Sequence, residues 1–218
     1  MRRRLLTVSA AIAVSLTLAA TVHTGGWAIT TLRDLPEYAV AGKPLRLTFM
    51  VRQHGVSPLD DLTPEVSAKS GATTLKTQAV GTKHKGEYTA TLRLPNPGTW
   101  TIEIESLWFT LRDLPVIAPG SPAPLPLPQA ALGERLFVTK GCIGCHVNHE
   151  VQAENLLEVG PDLTGKRFPD AYLTRFLANP QAVLGRTVDP ERGDMPNLGL
   201  TTSEIAALTS FINRERPR

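Results

Sequence analysis

Hydrophobic and polar residues alternate in short runs along the first half of the chain. In "GTWTIEIES", Trp100, Ile102 and Ile104 point to one side of an extended backbone, and the residues between them point to the other. The runs "PLRLTFMVR", "ATTLKTQAV" and "EYTATLRL" repeat this alternation, and clusters of Gly, Pro, Asn and Asp separate them. The pattern predicts a small antiparallel β-sandwich over residues 27–114.

The segment "KGEYTATL" narrows the class of this sandwich. Gly86 stands two residues before Tyr88 at the start of a predicted strand, a spacing that suits the tyrosine corner of immunoglobulin-like domains. We therefore predict an immunoglobulin-like sandwich in which Tyr88 has a structural role.

The next segment, "PVIAPGSPAPLPLPQ", is rich in proline. Proline interrupts both helix interiors and central strands, so these residues predict an extended, polyproline-like linker over residues 115–128. We expect this linker to act as a semi-rigid arm that holds two domains apart.

After the linker, the hydrophobic pattern has the period of an α-helix. The segments "AALGERLFVTKG", "PDAYLTRFLANP" and "TTSEIAALTSFI" each place their apolar residues on one face. Thr201 and Glu204 form the sequence pattern of a capping box at the start of the last helix. Long loops between short helices are typical of a domain that wraps a ligand, so residues 129–218 predict an all-α, ligand-holding domain.

Residues 1–26 predict export from the cytoplasm. Arg2, Arg3 and Arg4 precede an uncharged apolar run over residues 5–22, as in an export signal or an N-terminal membrane anchor. The run is long for a signal core and no clean cleavage motif accompanies it, so cleavage and retention both stay open. Either outcome predicts a protein of the periplasm or of the outer face of the cytoplasmic membrane.

The charge of the chain gives no support for nucleic-acid binding. The chain has 23 basic and 20 acidic residues, and the arginines at its start account for the formal excess of +3. The remainder is balanced, so the sequence pI of about 9.0 does not indicate a nucleic-acid partner.

The segment "GCIGCH" contains both cysteines of the chain, Cys142 and Cys145, followed directly by His146. If the first helix continues through this segment, the three side chains share one face. Two thiols can then form thioethers to the vinyl groups of a haem while the imidazole reaches the iron from the same side. The motif therefore predicts one covalently attached haem c.

Three other roles explain this motif less well. A structural zinc site would need His146 and His149 crowded beside the two cysteines, whereas zinc ligands normally come in separated pairs. A redox dithiol is expected at the start of a helix in an α/β domain, and a simple disulfide does not explain His146. We interpret His149 as an exposed loop residue.

Met195 is the candidate for the second axial ligand. The other methionines, Met1 and Met50, lie in the export segment and in the predicted sandwich. Met195 stands in "RGDMPNLGL", a turn-rich segment from which a side chain can approach the haem face opposite His146. A core-filling methionine is the alternative, but the polar surroundings favour ligation of iron by His146 and Met195.

The order of these motifs resembles a known family. "LGERLFVTKGCIGCH", "GPDLTG", a helix ending in "ANP" and "DMPNLGLTTSEIAALTSFI" follow one another as in monohaem class I cytochromes c, over residues 130–213. The resemblance implies that the Pro161 carbonyl accepts a hydrogen bond from His146 and that Arg167 is a candidate partner of a haem propionate. A solvated surface arginine is the alternative for Arg167.

The same resemblance implies how the helices pack. Gly133 would allow the first and last helices to approach closely, and Phe137 would pack near Phe211.

Ligation on both faces leaves iron no open position for a substrate, so we predict an electron carrier and not an enzyme. We expect it to shuttle single electrons between partners of a respiratory or photosynthetic chain, including a membrane redox complex. The donor and acceptor would dock at the thioether edge near Ile143 and Gly144. The alternative is a haem-based gas or redox sensor, or a small haem enzyme, in which Met195 dissociates.

The predicted sandwich weakly resembles the FixH-like and YtkA-like immunoglobulin-like modules, in "AGKPLRLTFMVRQHG" and "GEYTATLRLPNPGTWTIEIE". We expect it to dock and position the haem domain. A copper-handling sandwich is the alternative, because Met50 and His54 would share a strand face, although one thioether and one imidazole are a sparse set of copper ligands.

Overall fold

The computed structural model describes residues 27–104, 109–151, 159–189 and 193–214. It shows a β-rich region, residues 27–117, followed by a helical region, residues 129–214, which confirms the predicted order. The predicted export signal or anchor lies outside the described residues. Among the described residues, no helix is long and apolar enough to cross a membrane.

The β region contains two five-stranded sheets. One sheet has the order β1-β3-β8-β7 with β4 paired to β3, and the other has the order β2-β10-β9-β5-β6. The strands within the described residues are β1 (Ala28–Leu32), β2 (Ala39–Val40), β3 (Pro44–Gln53), β4 (Ser57–Pro58), β5 (Glu65–Ser70), β6 (Thr73–Gln78), β7 (Val80–Gly81), β8 (Glu87–Arg93), β9 (Gly98–Ile104) and β10 (Phe109–Ile117).

The two sheets share one apolar core. In β9, Trp100, Ile102 and Ile104 are buried, as their alternation predicted. Phe49 of the first sheet belongs to the same core cluster as Ile102 of the second. Burial of alternating residues from both sheets therefore accounts for the packing of the β region.

Tyr88 of β8 ties a loop to this core. Its hydroxyl donates a hydrogen bond to the Leu59 carbonyl at 2.7 Å and accepts one from the Leu62 N–H at 3.1 Å. The side chain is 2% exposed, and its ring centroid lies 5.9 Å from that of Phe49. Tyr88 thus has the structural role that the sequence predicted.

We expect Tyr88→Phe to lower the free energy of unfolding by about 1–3 kcal/mol, because both backbone groups lose a buried partner. Chemical denaturation of the full chain measures this change. Tyr38→Phe is the matched control, because Tyr38 is 36% exposed. Equal stability of the two variants would show that the Tyr88 hydroxyl does not hold the loop.

Strand β10 extends beyond the predicted end of the β domain. It continues through Pro115 to Ile117, and Val116, 4% exposed, pairs with Gly98 and Ala39. Strand β2 pairs with β10 only after the proline, so Pro115 stands where its missing N–H is tolerated. Residues 118–128 contain no helix or strand.

The helical region contains α1 (Gln129–Thr139), α2 (Asp170–Ala178), α3 (Pro180–Leu184) and α4 (Thr202–Ile212) among its described residues. The sequence predicted three of these and missed α3. Helix α4 begins with the predicted capping box, in which Thr201 and Glu204 satisfy each other's backbone N–H groups.

Helices α1 and α4 cross at a glycine. A Cβ atom at Gly133 would lie 2.0 Å from the carbonyl oxygen of Ala207, so no side chain fits at this crossing. The rings of Phe137 and Phe211 lie beside it, with centroids 5.4 Å apart. This is the packing that the cytochrome resemblance implied.

The two regions touch each other directly. Arg135 of α1 donates a hydrogen bond to the Asp113 carbonyl of β10 at 3.0 Å, and Lys140 donates one to the Arg33 carbonyl at 2.8 Å. The prediction that the linker holds the two domains apart is therefore wrong. Because the segment after Ile117 folds back, α1 packs against β10.

Candidate haem pocket

A cavity of about 380 Å³ is lined mostly by residues of the helical region. Cys142, Cys145, His146 and Met195, the residues predicted to hold a haem, all line it. Most of the other lining side chains are apolar, and they include Phe137, Leu163, Phe168, Leu173, Phe176, Leu177, Leu208 and Ile212.

The two cysteines lie on a turn that is separate from α1. The helix ends at Thr139, and Gly141 adopts a left-handed conformation with φ of 78° before a 3₁₀ turn over Cys142–Gly144. The condition that α1 continues to residue 146 is therefore not met, because Gly141 ends the helix. The His146 N–H still donates to the Cys142 carbonyl at 2.9 Å, which keeps the motif on one turn.

Neither cysteine forms a disulfide, and both side chains are partly buried. Burial raises the pKa of Cys142 to about 12, and the neighbouring Cys145 adds to this effect. Burial also raises the pKa of Cys145 to about 11. A redox dithiol needs a lowered thiol pKa, so this environment disfavours that alternative. The zinc alternative finds no support, since no three His, Cys, Asp or Glu residues converge on a metal position within the described ranges.

A hydrogen bond to the backbone orients the ring of His146. Its Nδ1 lies 3.0 Å from the Pro161 carbonyl oxygen, which can only accept, so Nδ1 carries the proton and Nε2 is the basic nitrogen. A Cβ at Gly160 would lie 2.6 Å from this ring, so the glycine leaves room for it. Burial lowers the pKa of His146, and the Pro161 contact opposes this shift. A neutral imidazole oriented in this way is suited to ligate iron.

The loop that carries Met195 is fastened to α3. Gln181 of α3 donates a hydrogen bond to the Met195 carbonyl at 2.8 Å. Asp194, 8% exposed, forms an ion pair with Arg186 and accepts a hydrogen bond from the Asp189 N–H at 3.1 Å. The sequence interpretation missed these supporting residues along with α3.

A local signal for α3 does exist in the sequence. The Asn179 side chain caps the helix by accepting from the Ala182 N–H, and Pro180 occupies its first turn. Asparagine followed by proline is a helix-start pattern.

One arginine side chain among the described residues lines the cavity, and it is not Arg167. Arg186 lines the cavity, whereas Arg167 is exposed and is not among the described lining residues. His149 has 55% of its side chain exposed and lies 4.0 Å from Asp162, which agrees with a loop position.

The suggested copper pair does not share a strand face. Met50 lies in β3, but the strand ends at Gln53 and His54 has a left-handed backbone with φ of 52°. The His54 ring packs instead against Trp27, with centroids 5.3 Å apart. The copper interpretation is therefore wrong about this geometry.

The β region lies close to the predicted docking edge, where Ile143 and Gly144 are partly buried. A Cβ at Gly144 would lie 2.7 Å from Ile29 of β1, and Ile143 lines a cleft that also includes Arg112 of β10. The β region thus lies against the turn at which we expected partner proteins to dock.

The residues around the cavity fit a covalently held haem. The apolar lining suits a porphyrin, the two cysteines lie on one turn and form no disulfide, and glycine at position 160 makes room for the imidazole of His146. Met195 adds a soft sulfur ligand within the same cavity.

Comparison with known proteins bears on the helical region. The sequence model of the cytochrome c family matches residues 130–214, while no curated protein matches the chain. Cytochrome c domains are usually extracellular or periplasmic.

Similar solved structures share little with this chain. Native E. coli alpha-2-macroglobulin is 16% identical over 43% of this chain and 6% of that one, with a TM-score of 0.36. Domains 4 and 5 of the S-layer protein SbsC are 13% identical over 43% and 53%, with a TM-score of 0.27. The superoxide reductase (neelaredoxin) of Ignicoccus hospitalis is 12% identical over 43% and 82%, with a TM-score of 0.25. TM-scores this low do not indicate a shared fold.

The family match and the cavity concern the same part of the chain. The matched residues include the two cysteines, His146 and Met195, which line one apolar cavity. Residues 130–214 form a cytochrome c domain, the type of domain that binds haem c in electron-transfer proteins.

Proposed function

We propose that this protein is an electron-transfer cytochrome with one haem c, attached through Cys142 and Cys145 and ligated by His146 and Met195. The observation that carries the proposal is that these four side chains line a single apolar cavity in a cytochrome c domain. The bound haem supplies one-electron oxidation and reduction.

The side chains of the pocket set the conditions for this chemistry. Pro161 fixes the tautomer of His146, and the Gln181 bond fixes the backbone of the Met195 loop. The apolar lining excludes water, and a thioether ligand favours the reduced state, so both features raise the reduction potential. With His146 and Met195 both holding the iron, no ligand position would be open to a substrate.

We propose further that the β region is an immunoglobulin-like module that positions the haem domain. The buried Tyr88 with its two hydrogen bonds and the direct bond from Lys140 to the Arg33 carbonyl support this role. The partners are an electron donor and an electron acceptor outside the cytoplasm, including a membrane redox complex. Residues 1–26 would export the protein or anchor it there.

A reduced-state absorption spectrum with and without carbon monoxide tests the proposed function. The full chain is produced in a host that exports proteins and attaches haem. We expect carbon monoxide to leave the spectrum unchanged, because Met195 blocks the second axial position. Ready binding of carbon monoxide by the wild-type protein would instead support a gas sensor or a small haem enzyme.

A further inference from the structure

We propose that the β region supplies one wall of the haem pocket, through Ile29 of β1, and closes the pocket beside the cysteine turn. This inference rests on the proposed function and goes beyond it, because it makes the haem environment a joint product of both regions. Among the described residues that line the cavity, Ile29 is the one that comes from the β region.

The glycines of the turn show how closely Ile29 approaches. A Cβ at Gly141 would lie 2.4 Å from Ile29 Cγ2, and a Cβ at Gly144 would lie 2.7 Å from Ile29 Cδ1. The left-handed backbone of Gly141 favours glycine by itself, but Gly144 has no such conformation. The space that a side chain at Gly144 would need is occupied by Ile29.

The burial pattern of β1 supports a contact on both faces of the strand. A strand with one wet face alternates between buried and exposed residues, whereas four consecutive residues from Ile29 to Leu32 are buried. Leu32 belongs to the β core, but Ile29 does not, although it is only 5% exposed. The turn of the helical region therefore covers the face of β1 that carries Ile29.

A hydrogen bond from the buried Lys140 ties the chain just beyond β1 to the helical region. Lys140 directly precedes Gly141 and is 5% exposed. Its ammonium pairs with Glu204 at 2.7 Å and donates to the Arg33 carbonyl, just beyond β1, at 2.8 Å. A buried ammonium is costly without such partners, so separating the two regions would leave Lys140 without one of them.

The β region also touches the loop of the proposed second ligand. A Cβ at Gly55, beyond the end of β3, would lie 3.0 Å from the ring of Pro196. Pro196 directly follows Met195 in the chain. Contacts from the β region therefore reach both the cysteine turn and the methionine loop.

The wall formed by Ile29 should raise the reduction potential of the haem. An apolar wall keeps water away from the haem, and the ferric state, with its additional positive charge, is the state that water stabilises more. Opening the wall or placing a carboxylate in it should therefore favour the ferric state.

Spectroelectrochemical titration of the full-length haem protein tests the wall, with Ile29→Ala and Ile29→Asp compared to wild type. At a fixed ambient potential, we expect Ile29→Asp to raise the ferric-to-ferrous ratio about tenfold, equivalent to about 59 mV for a one-electron couple. Ile29→Ala should change the ratio in the same direction by less. The matched control is Ile102→Ala, which removes the same atoms from the β core.

The outcomes separate the two proposals. Absence of covalent haem from the wild-type protein overturns the proposed function. Covalent haem with the same potential in wild type and both Ile29 variants overturns the wall and leaves the proposed function standing. An equal shift of the reduction potential in Ile102→Ala also overturns the proposed wall, because general loosening of the β region would then be the cause. If the Ile29→Asp protein does not accumulate, the reduction potentials of Ile29→Ala and Ile102→Ala are compared instead. Equal potentials in these two variants overturn the proposed wall.

Discussion

Replacing Cys142 and Cys145 together with serine should abolish haem staining of the protein band on a denaturing gel. Thioether bonds survive denaturation, serine hydroxyls cannot form them, and the chain has two cysteines in total. The expected effect is complete loss of the stain at the mass of 23.6 kDa, or at the smaller mass of a cleaved form.

Met195→Ala is the control for this experiment, because it leaves both thiols in place and should retain the stain. A stain that persists in the double cysteine variant would show that haem is not attached where we propose. A wild-type protein without stain would contradict the proposed function itself.

We expect Met195→Ala to change both the absorption spectrum and the reduction potential of the haem. Loss of the thioether should remove the far-red charge-transfer band between sulfur and ferric iron, lower the reduction potential and admit carbon monoxide to the reduced haem. Absorption spectra of the oxidised protein and of the reduced protein under carbon monoxide measure these changes.

Met50→Ala is the matched control, because Met50 lies in β3 and does not line the described cavity. It should keep the band and exclude carbon monoxide. Loss of the band in Met50→Ala, or its survival in Met195→Ala, would assign the ligand to another side chain.

Local patterns accounted for most of what the sequence predicted correctly. The alternation in β9 follows from burial of one face, and the cysteines and His146 lie within one short segment. Helix α3 was missed because its five residues are too few to display a helical period, although Asn179 and Pro180 mark its start.

The sequence did not predict the contacts between distant parts of the chain. Lys140 and Arg33 are 107 positions apart, and nothing near either residue indicates the other. The proline-rich segment predicts an extended backbone but not the direction in which it leads, so the packing of α1 on β10 could not be foreseen. Arg186 was overlooked for the same reason, since its place on the cavity wall depends on the fold of the loop between α3 and α4.

The position of Ile29 over the cysteine turn sets an order of events during maturation. The β region precedes the turn in the chain and has its own apolar core, so it can fold while the turn is still emerging. Once β1 settles against Gly141 and Gly144, Ile29 lies over one side of the cysteine turn, and both thiols are partly buried. We therefore expect haem to be joined to the cysteines more readily before the two regions meet, because this side of the turn is then still uncovered.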